Sequence, residues 1–388
     1  MMIYFDTECD GHHPHHLAVL ALHIIRNDLQ EKIVFAVPKQ LQERALAEYD
    51  NGKGMDRSGL HFSLLDATEV SRIKHTRDIW KRHWRLWRLG IKTACDLGGQ
   101  TVFFAVMDDV LMAAAFSWPP LVKVSGLIFR GSLHYPEFRK GLKGVAIQGM
   151  KSLYFQWALS RGHLTTLFTL DPYLKEYSNQ RIFHGEKVKF LPEPYDSSSD
   201  LVSLQCRKRA EVKFLFYGIM QQRKGVRQLV EALALLPQDI RGCTIFRFCG
   251  EGPMVPFIEE RLPALREAGV KLTLLPRYMT EKELEDEISN ADGILAPYLN
   301  HVGSSGILLT SASYRKPIIS QRVGMIGREI RKYRLGEAVD TLKPQQIADA
   351  IKRVTEKIIA GGCTDADFEG FLRPHGEEAY ARTLIENM

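Results

Sequence analysis

Four short turns in the second half of the chain share one design. "YGIMQQRKG" (Tyr217 to Gly225), "CGEGP" (Cys249 to Pro253), "PRYMTEKE" (Pro276 to Glu283) and "HVGSSG" (His301 to Gly306) each follow an apolar run and open a segment with helical periodicity. Glycines such as Gly218, Gly250, Gly252, Gly303 and Gly306 let backbone N–H groups approach a ligand closely. A helix start adds unpaired donors and a partial positive charge. Together the turns point to a phosphate-bearing ligand, although glycine at a strand-to-helix turn also serves steric needs alone.

The first half offers carboxylates and imidazoles instead. Asp108 and Asp109 follow a buried run in "AVMDDV", His12 and His13 follow Gly11 in "GHHPHH", and His134 sits in "RGSLHYPE". Asp109 either faces a ligand or caps the next helix. The histidine cluster invites a metal reading, but no acidic or cysteine partner has a supporting spacing, so no metal is expected.

The elements that must position these residues are short β-branched or aromatic runs alternating with helical stretches. The first series is "MIYFD", "IVFAV", "TVFFAV", "LVKVSG", "TLFTL" and "VKFLP"; the second is "VKFLFYG", "CTIFRFCG", "VKLTLLP", "GILAPY" and "KPIIS". They lack apolar/polar alternation, which suits parallel strands covered on both faces. The polar stretch "EPYDSSSDLVSLQCRKRAE" between the two series reads as a connection. The expected fold is α/β, two doubly wound Rossmann-like domains facing a cleft, with ligands beyond the carboxyl ends of the strands. The first domain is expected over 1–195 and the second over 196–369.

With 388 residues, 45% hydrophobic and 25% charged, the chain is an ordinary globular one and large enough for two cores. Its net charge of +6 is a mild bias towards anionic partners. Six cysteines (Cys9, Cys95, Cys206, Cys243, Cys249, Cys363) are scattered without metal spacing, which fits a reducing compartment. The N-terminal "MMIYFDTECDGHHPHH" lacks the form of a secretory signal, and the most apolar segment, Leu111 to Phe129, is broken by Pro119, Pro120 and Lys123. A cytoplasmic location with at most peripheral membrane contact is expected.

One helix stands apart. "RDIWKRHWRLWRLGIK" places Trp80, Trp84 and Trp87 on one face, flanked by Lys81, Arg82, Arg85 and Arg88. Such a face either lies on an anionic membrane or packs on the sheet with its arginines in water. A second basic segment, "FRKGLKGVAIQGMKSLYFQWALSRG" from Phe138, adds to the case for an anionic surface. No nucleic-acid motif accompanies the charge, so nucleic acid is not an expected partner.

The ordered set "YGIMQQRKG", "FCGEGP", "PRYMTEKELEDEISNADGILAPY", "GSSGILL" and "RKPIISQRVG", from Val212 to Leu335, resembles the second domain of the GT-B glycosyltransferases, and within them the retaining family 4. The resemblance implies a nucleotide-diphosphate sugar as donor substrate and no other cofactor. "DGHHPHHLAVLALHI" and "KVKFLPEPYD" are similar in position to the first turn and the closing strand of the first domain. The C-terminal "EEAYARTLIENM" is similar to the last helix, about 370–388, which in the family packs back on the first, acceptor-side domain.

The resemblance assigns roles residue by residue. Lys224 takes the position of the cation that neutralises the leaving diphosphate. Ile219 replaces the usual second cation, and Arg223 is the local candidate to supply it, or a solvated charge beside the turn. Gly218, Gly250 and Gly252 shape turns near the nucleotide, while Tyr278 and Met279 border the base or pack below the loop. The family's two glutamates, one facing the sugar and one gripping the ribose, fall at Val302 and Thr310, or at Gly303 and Ser311 if the glycines are aligned. Gly303, Ser304, Ser305 and Gly306 remain as a β-phosphate cradle, with His301 near the sugar. In the first domain Ser125 takes the place of the family's strand-end histidine; beside the resemblance, Asp109 and His12 are candidate catalytic groups, and Gly11, His13 and His134 are acceptor-side candidates.

The function implied is transfer of a sugar from a nucleotide-diphosphate sugar to a glycan or lipid-linked acceptor, with retention, in cell-surface polysaccharide synthesis. The absent arginine and glutamates also fit an inactive GT-B protein that binds glycan or scaffolds polysaccharide assembly. A sugar-nucleotide epimerase shares the fold, but no acid/base pair for it stands out.

Overall fold

The computed structural model describes residues 1–48, 59–138, 141–195, 210–361 and 365–388. The polar connection lies mostly in 196–209, outside the described residues, as do Cys206 and Cys363. The chain forms two compact units: Met1–Asp196 with His375–Met388, and Ser197–Pro374.

Unit 1 holds seven strands: β1 (Met2–Phe5), β2 (Ile33–Val37), β3 (His61–Leu64), β4 (Thr101–Phe104), β5 (Lys123–Ile128), β6 (Leu164–Thr169) and β7 (Val188–Phe190). They pair in the order β3-β2-β1-β4-β5-β6-β7, and every pairing is parallel. The unbroken apolar runs are explained by this arrangement, since helices cover both faces. Tyr4 of β1 stands beside Phe35 of β2 and Phe103 of β4, with ring centroids 5.6 and 5.4 Å away. The order reverses between β1 and β4, so a crevice opens beyond Phe5 and Phe104.

The last helix, Glu377–Glu386, belongs to this unit. It lies on the helix His13–Arg26, where the fully buried Tyr380 meets the His16 ring at 5.0 Å and Glu378 reaches His23 Nδ1 at 3.0 Å. His375 anchors the return. Its Nδ1 accepts from Glu193 N at 3.1 Å, and Gly376 N donates to Glu193 O at 3.0 Å.

Unit 2 holds β8 (Val212–Tyr217), β9 (Thr244–Cys249), β10 (Lys271–Leu275), β11 (Gly293–Ala296), β12 (Ile318–Gln321) and β13 (Gly336–Val339), ordered β10-β9-β8-β11-β12-β13 and again wholly parallel. Its switch point lies between β8 and β11. Phe214, Phe216, Phe246 and Phe248 lie in its core and pair across β8 and β9, Phe214 stacked on Phe246 and Phe216 tilted against Phe248. The expectation of two doubly wound Rossmann-like sheets is therefore met.

Of the two readings of the tryptophan helix, packing on the sheet is the one that holds. On Ile79–Asp96, Trp87 is buried and stacks on Phe104 at 5.5 Å, and Trp84 packs against the same core. Trp80 alone of the three is exposed, while Arg85 bonds Thr76 Oγ1 at 2.9 Å. A face that closes the sheet cannot also lie at headgroup depth. Among the described residues no helix is long and apolar enough to cross a membrane.

Candidate functional site

In unit 2 the switch point gathers residues that lie far apart in sequence. β8 ends at Tyr217, and its loop runs through the short 3-10 turn Gln222–Lys224 into the helix Val226–Ala234. β11 ends at Ala296, and its loop reaches the helix Gly306–Ser313. Leu299 N donates to Arg223 O at 2.9 Å, locking the two loops side by side.

Across that seam Lys224 Nζ donates to Tyr298 Oη at 2.5 Å, and Tyr298 Oη shares a hydrogen bond with Ser305 Oγ at 2.9 Å. The Lys224 ammonium also lies 4.3 Å from the Tyr298 ring centroid. Tyr298 is buried and stacks on His301 at 5.0 Å. His301 is held in turn: its N donates to Gln321 Oε1 at 2.9 Å, its carbonyl accepts from Gln321 Nε2 at 2.5 Å, and its Nε2 meets Ser304 O at 2.9 Å.

Ser305 stands at the N-cap of the helix Gly306–Ser313, yet its side chain makes no capping bond. Serine is a preferred cap because its oxygen satisfies the first-turn N–H groups. Here that oxygen is turned to Tyr298. The first turn therefore keeps donors free of a side-chain cap, with a lysine ammonium one hydroxyl away. A cation and an uncapped helix start are features that favour a negatively charged group.

Several expected site residues are placed differently. Arg223 is exposed and its Nε bonds Gln221 Oε1 at 2.9 Å, which is the solvated reading and not a second cation aimed beside Lys224. Thr310 donates to Gly306 O at 3.0 Å, so its proton is committed within its own helix. Val302 is half-buried and brings no polar group. The buried carboxylates of unit 2 among the described residues are Asp292 and Glu329, both outside this loop. Tyr278 is 77% exposed, which overturns core packing for it, while Met279 is half-buried.

The glycines of the "CGEGP" turn have a specific reason. A Cβ on Gly250, at φ +137°, would sit 2.2 Å from Gly218 O, and one on Gly252, at φ +144°, would sit 2.6 Å from Met220 O. They let two loops interlock, so their role is close packing of backbone on backbone. Gly218 has open space where its Cβ would be.

In unit 1 the crevice beyond β1 and β4 carries a dyad. Asp6, with a fully buried side chain, meets His13 Nδ1 at 2.7 Å and accepts from Glu8 N at 2.9 Å. Burial alone would lower His13, but the Asp6 carboxylate outweighs it and holds the imidazole above its ordinary 6.5. His12 is exposed at the helix N-cap and stacks on His16, so the buried carboxylate partner falls to its neighbour. Gly11 supplies the left-handed turn between them, φ +70°.

Ser125 is corrected. β5 continues to Ile128, so Ser125 lies inside the strand, fully buried, and not at its end. His134 is also enclosed: its Nε2 lies 3.1 Å from Asp171, which caps the helix Pro172–Arg181 and accepts from Tyr135 Oη at 2.7 Å. Asp109 does not cap the following helix, whose N-cap is Val110 without a side-chain bond. Asp108 instead bridges loops, accepting from Phe129 N at 2.8 Å and Arg130 N at 3.1 Å, and burial raises its carboxyl. No group of three or more His, Cys, Asp or Glu among the described residues is arranged to hold a metal.

The paired sheets define the class: the fold is that of the GT-B glycosyltransferases. Over 99% of the chain and 98% of its own length it matches WaaG, a glycosyltransferase involved in lipopolysaccharide biosynthesis, with TM-score 0.65 at 12% identity. The lipopolysaccharide outer core galactosyltransferase WaaB matches over 100% and 99%, with TM-score 0.66 at 15% identity. Anabaena HepE in complex with UDP and glucose matches over 99% and 98%, with TM-score 0.63 at 10% identity. No curated protein sequence matches the chain. Residues 211–357, the heart of unit 2, match the family model "Glycosyl transferases group 1". The chain thus has the GT-B fold, and its second unit is similar to the group 1 glycosyl transferases over residues 211–357.

Proposed function

We propose that the protein moves a sugar, with retention, from a nucleoside-diphosphate sugar held by unit 2 to a glycan or lipid-linked acceptor, in the synthesis of cell-surface polysaccharide at the cytoplasmic face of the membrane. The observation that carries this is the chain Lys224, Tyr298, Ser305 beside an uncapped helix start at the unit 2 switch point. As the sugar–phosphate bond breaks, negative charge grows on the diphosphate. Lys224 and the first-turn N–H groups stabilise it without reorganising, because Tyr298 already fixes the lysine. Tyr278 is exposed where it can lie on the base, and Met279 beneath it. On unit 1 the Asp6–His13 dyad fixes the imidazole so that Nε2 receives the acceptor hydroxyl.

The neighbours sharpen the choice of ligand. HepE was seen with UDP and with UDP-glucose, so uridine donors come first, and the lipopolysaccharide roles of WaaG and WaaB favour a lipid-linked acceptor. A second reading, an inactive glycan-binding scaffold, is favoured by Val302 and Thr310 where carboxylates would grip sugar and ribose. Calorimetry and thermal melting with UDP, GDP and ADP sugars separate the two. Stabilisation by one donor, lost in Lys224→Ala, supports transfer, and the anomeric configuration of the product then tests retention. If no nucleoside diphosphate binds, the enzyme reading fails.

A further inference from the structure

The helix Gly141–Ser160 breaks the usual pattern of a surface helix. One side, with Phe155, Ala158 and Leu159, is buried in the unit 1 core. Its outward side is apolar too. Leu142, Val145, Met150, Leu153 and Trp157 fall at offsets 0, 3, 8, 11 and 15, on one side of the helix, and all are exposed. A surface helix ordinarily turns polar residues to water, and contiguous apolar surface of this kind marks an interaction site.

A second element extends the same surface. Phe116 stacks on Trp157 at 6.3 Å, and Arg161 Nη2 donates to Ser117 O at 2.6 Å, fixing the loop after Phe116 against the helix. The tip of that loop is Trp118-Pro119-Pro120-Leu121. Trp118 is 92% exposed and Leu121 99% exposed, so both project fully from the fold. Two prolines between them restrict the backbone, so presenting the tip costs little order.

Charge selects the occupant. Neither the helix nor the loop from Phe116 to Lys123 contains an Asp or Glu, while Lys143 and Lys123, both exposed, supply cations. A second copy of the chain docked here about a two-fold axis would set this cationic surface against itself. An anionic bilayer instead accepts apolar side chains at the headgroup boundary, draws in lysines, and favours tryptophan at that depth.

We propose that the helix Gly141–Ser160 and the Trp118–Leu121 tip dock unit 1 on an anionic lipid bilayer. This deepens the membrane location in the function proposed above and rests on it only for the acceptor. The docking element is thus the helix after β5, and not the tryptophan helix Ile79–Asp96, whose inner face is spent on the core.

The full chain is sedimented with vesicles of phosphatidylcholine alone and of phosphatidylcholine mixed with phosphatidylglycerol. The expected result is binding to the mixed vesicles that weakens with salt. Leu121→Glu with Leu153→Glu abolishes it, and Lys123→Gln with Lys143→Gln weakens it about 25-fold, roughly fivefold for each cation removed. Melting temperature and nucleoside-diphosphate affinity of each variant verify the fold and are read separately. Absence of binding to the mixed vesicles overturns the proposal. So does unchanged binding by folded variants, or a lipid-free dimer in sedimentation equilibrium that Leu121→Glu with Leu153→Glu dissolves. Loss of nucleotide affinity in the unmodified protein would count against the donor assignment and leave this surface untouched.

Discussion

Tyr298→Phe is the sharpest test of the unit 2 site, because it removes one oxygen and keeps the buried ring. That oxygen accepts from the Lys224 ammonium at 2.5 Å and shares a proton with Ser305 at 2.9 Å. A hydrogen bond to a charged group is worth about 1.5–3 kcal/mol and a neutral one about 0.5–1.5 kcal/mol. If Tyr298 holds Lys224 for the leaving diphosphate, the charged bond is the one expressed in the rate. The expected loss in kcat/KM is roughly ten- to 150-fold, by the conversion of about 1.36 kcal/mol per decade. Lys224→Met should cost more, about 2.7–4 kcal/mol, as for loss of one preorganised donor to a developing anion. The two effects should not add. In the Lys224→Met background Tyr298→Phe should be nearly silent, since the hydroxyl has no lysine to hold. The assay is donor turnover in a double-mutant cycle, with thermal melting of each variant as a control. Additivity within about 0.5 kcal/mol would refute the coupling and reduce Tyr298 to a packing residue.

Further outcomes follow from particular contacts. Burial lowers His375 to about 4, and it must stay unprotonated to accept from Glu193 N. The unfolded chain therefore binds the extra proton between 6.5 and about 4, so stability should fall by roughly 3 kcal/mol as pH drops through that window, and His375→Gln should flatten the slope in thermal melts. Gly250→Ala would place a methyl 2.2 Å from Gly218 O at φ +137°. A loss of about 2 kcal/mol or more in stability, together with weaker nucleotide binding by calorimetry, is expected because the Gly218 loop must move. Trp87→Ala should cost about 3–5 kcal/mol in denaturant melts, whereas Trp80→Ala should stay within about 0.5 kcal/mol.

The fold was readable because its signal is local: runs such as "TVFFAV" and "VKFLFYG" lack alternation, and glycine turns follow them. The GT-B assignment followed from the order of those turns. The site was less legible because its contacts cross the sheet. Tyr298 reads in "GILAPYLN" as the end of a strand, and its meeting with Lys224, 74 residues earlier, exists only because β8 and β11 are neighbours. Asp6 looked like the polar end of "MIYFD" until the loop returned His13 to it. Gln321, at the end of "KPIISQ", carried no signal at all, since its side-chain bonds go to the backbone of His301 and Val323. Spacing set Trp87 on a face with Trp80, but spacing does not say which part of a face the sheet will cover.

The returning C-terminal helix also sets an order of events during synthesis. Unit 2, Ser197–Pro374, is complete in sequence before Tyr380 and Leu384 have been made, and these are fully buried members of the unit 1 core around Leu17 and Leu20. The first unit to begin is thus the last to finish. Until its final turns arrive, the helix His13–Arg26 leaves apolar surface open to the ribosome exit and to chaperones. A pause or truncation after residue 374 would yield a chain whose donor-side unit is whole while the first-made unit still lacks its closing piece.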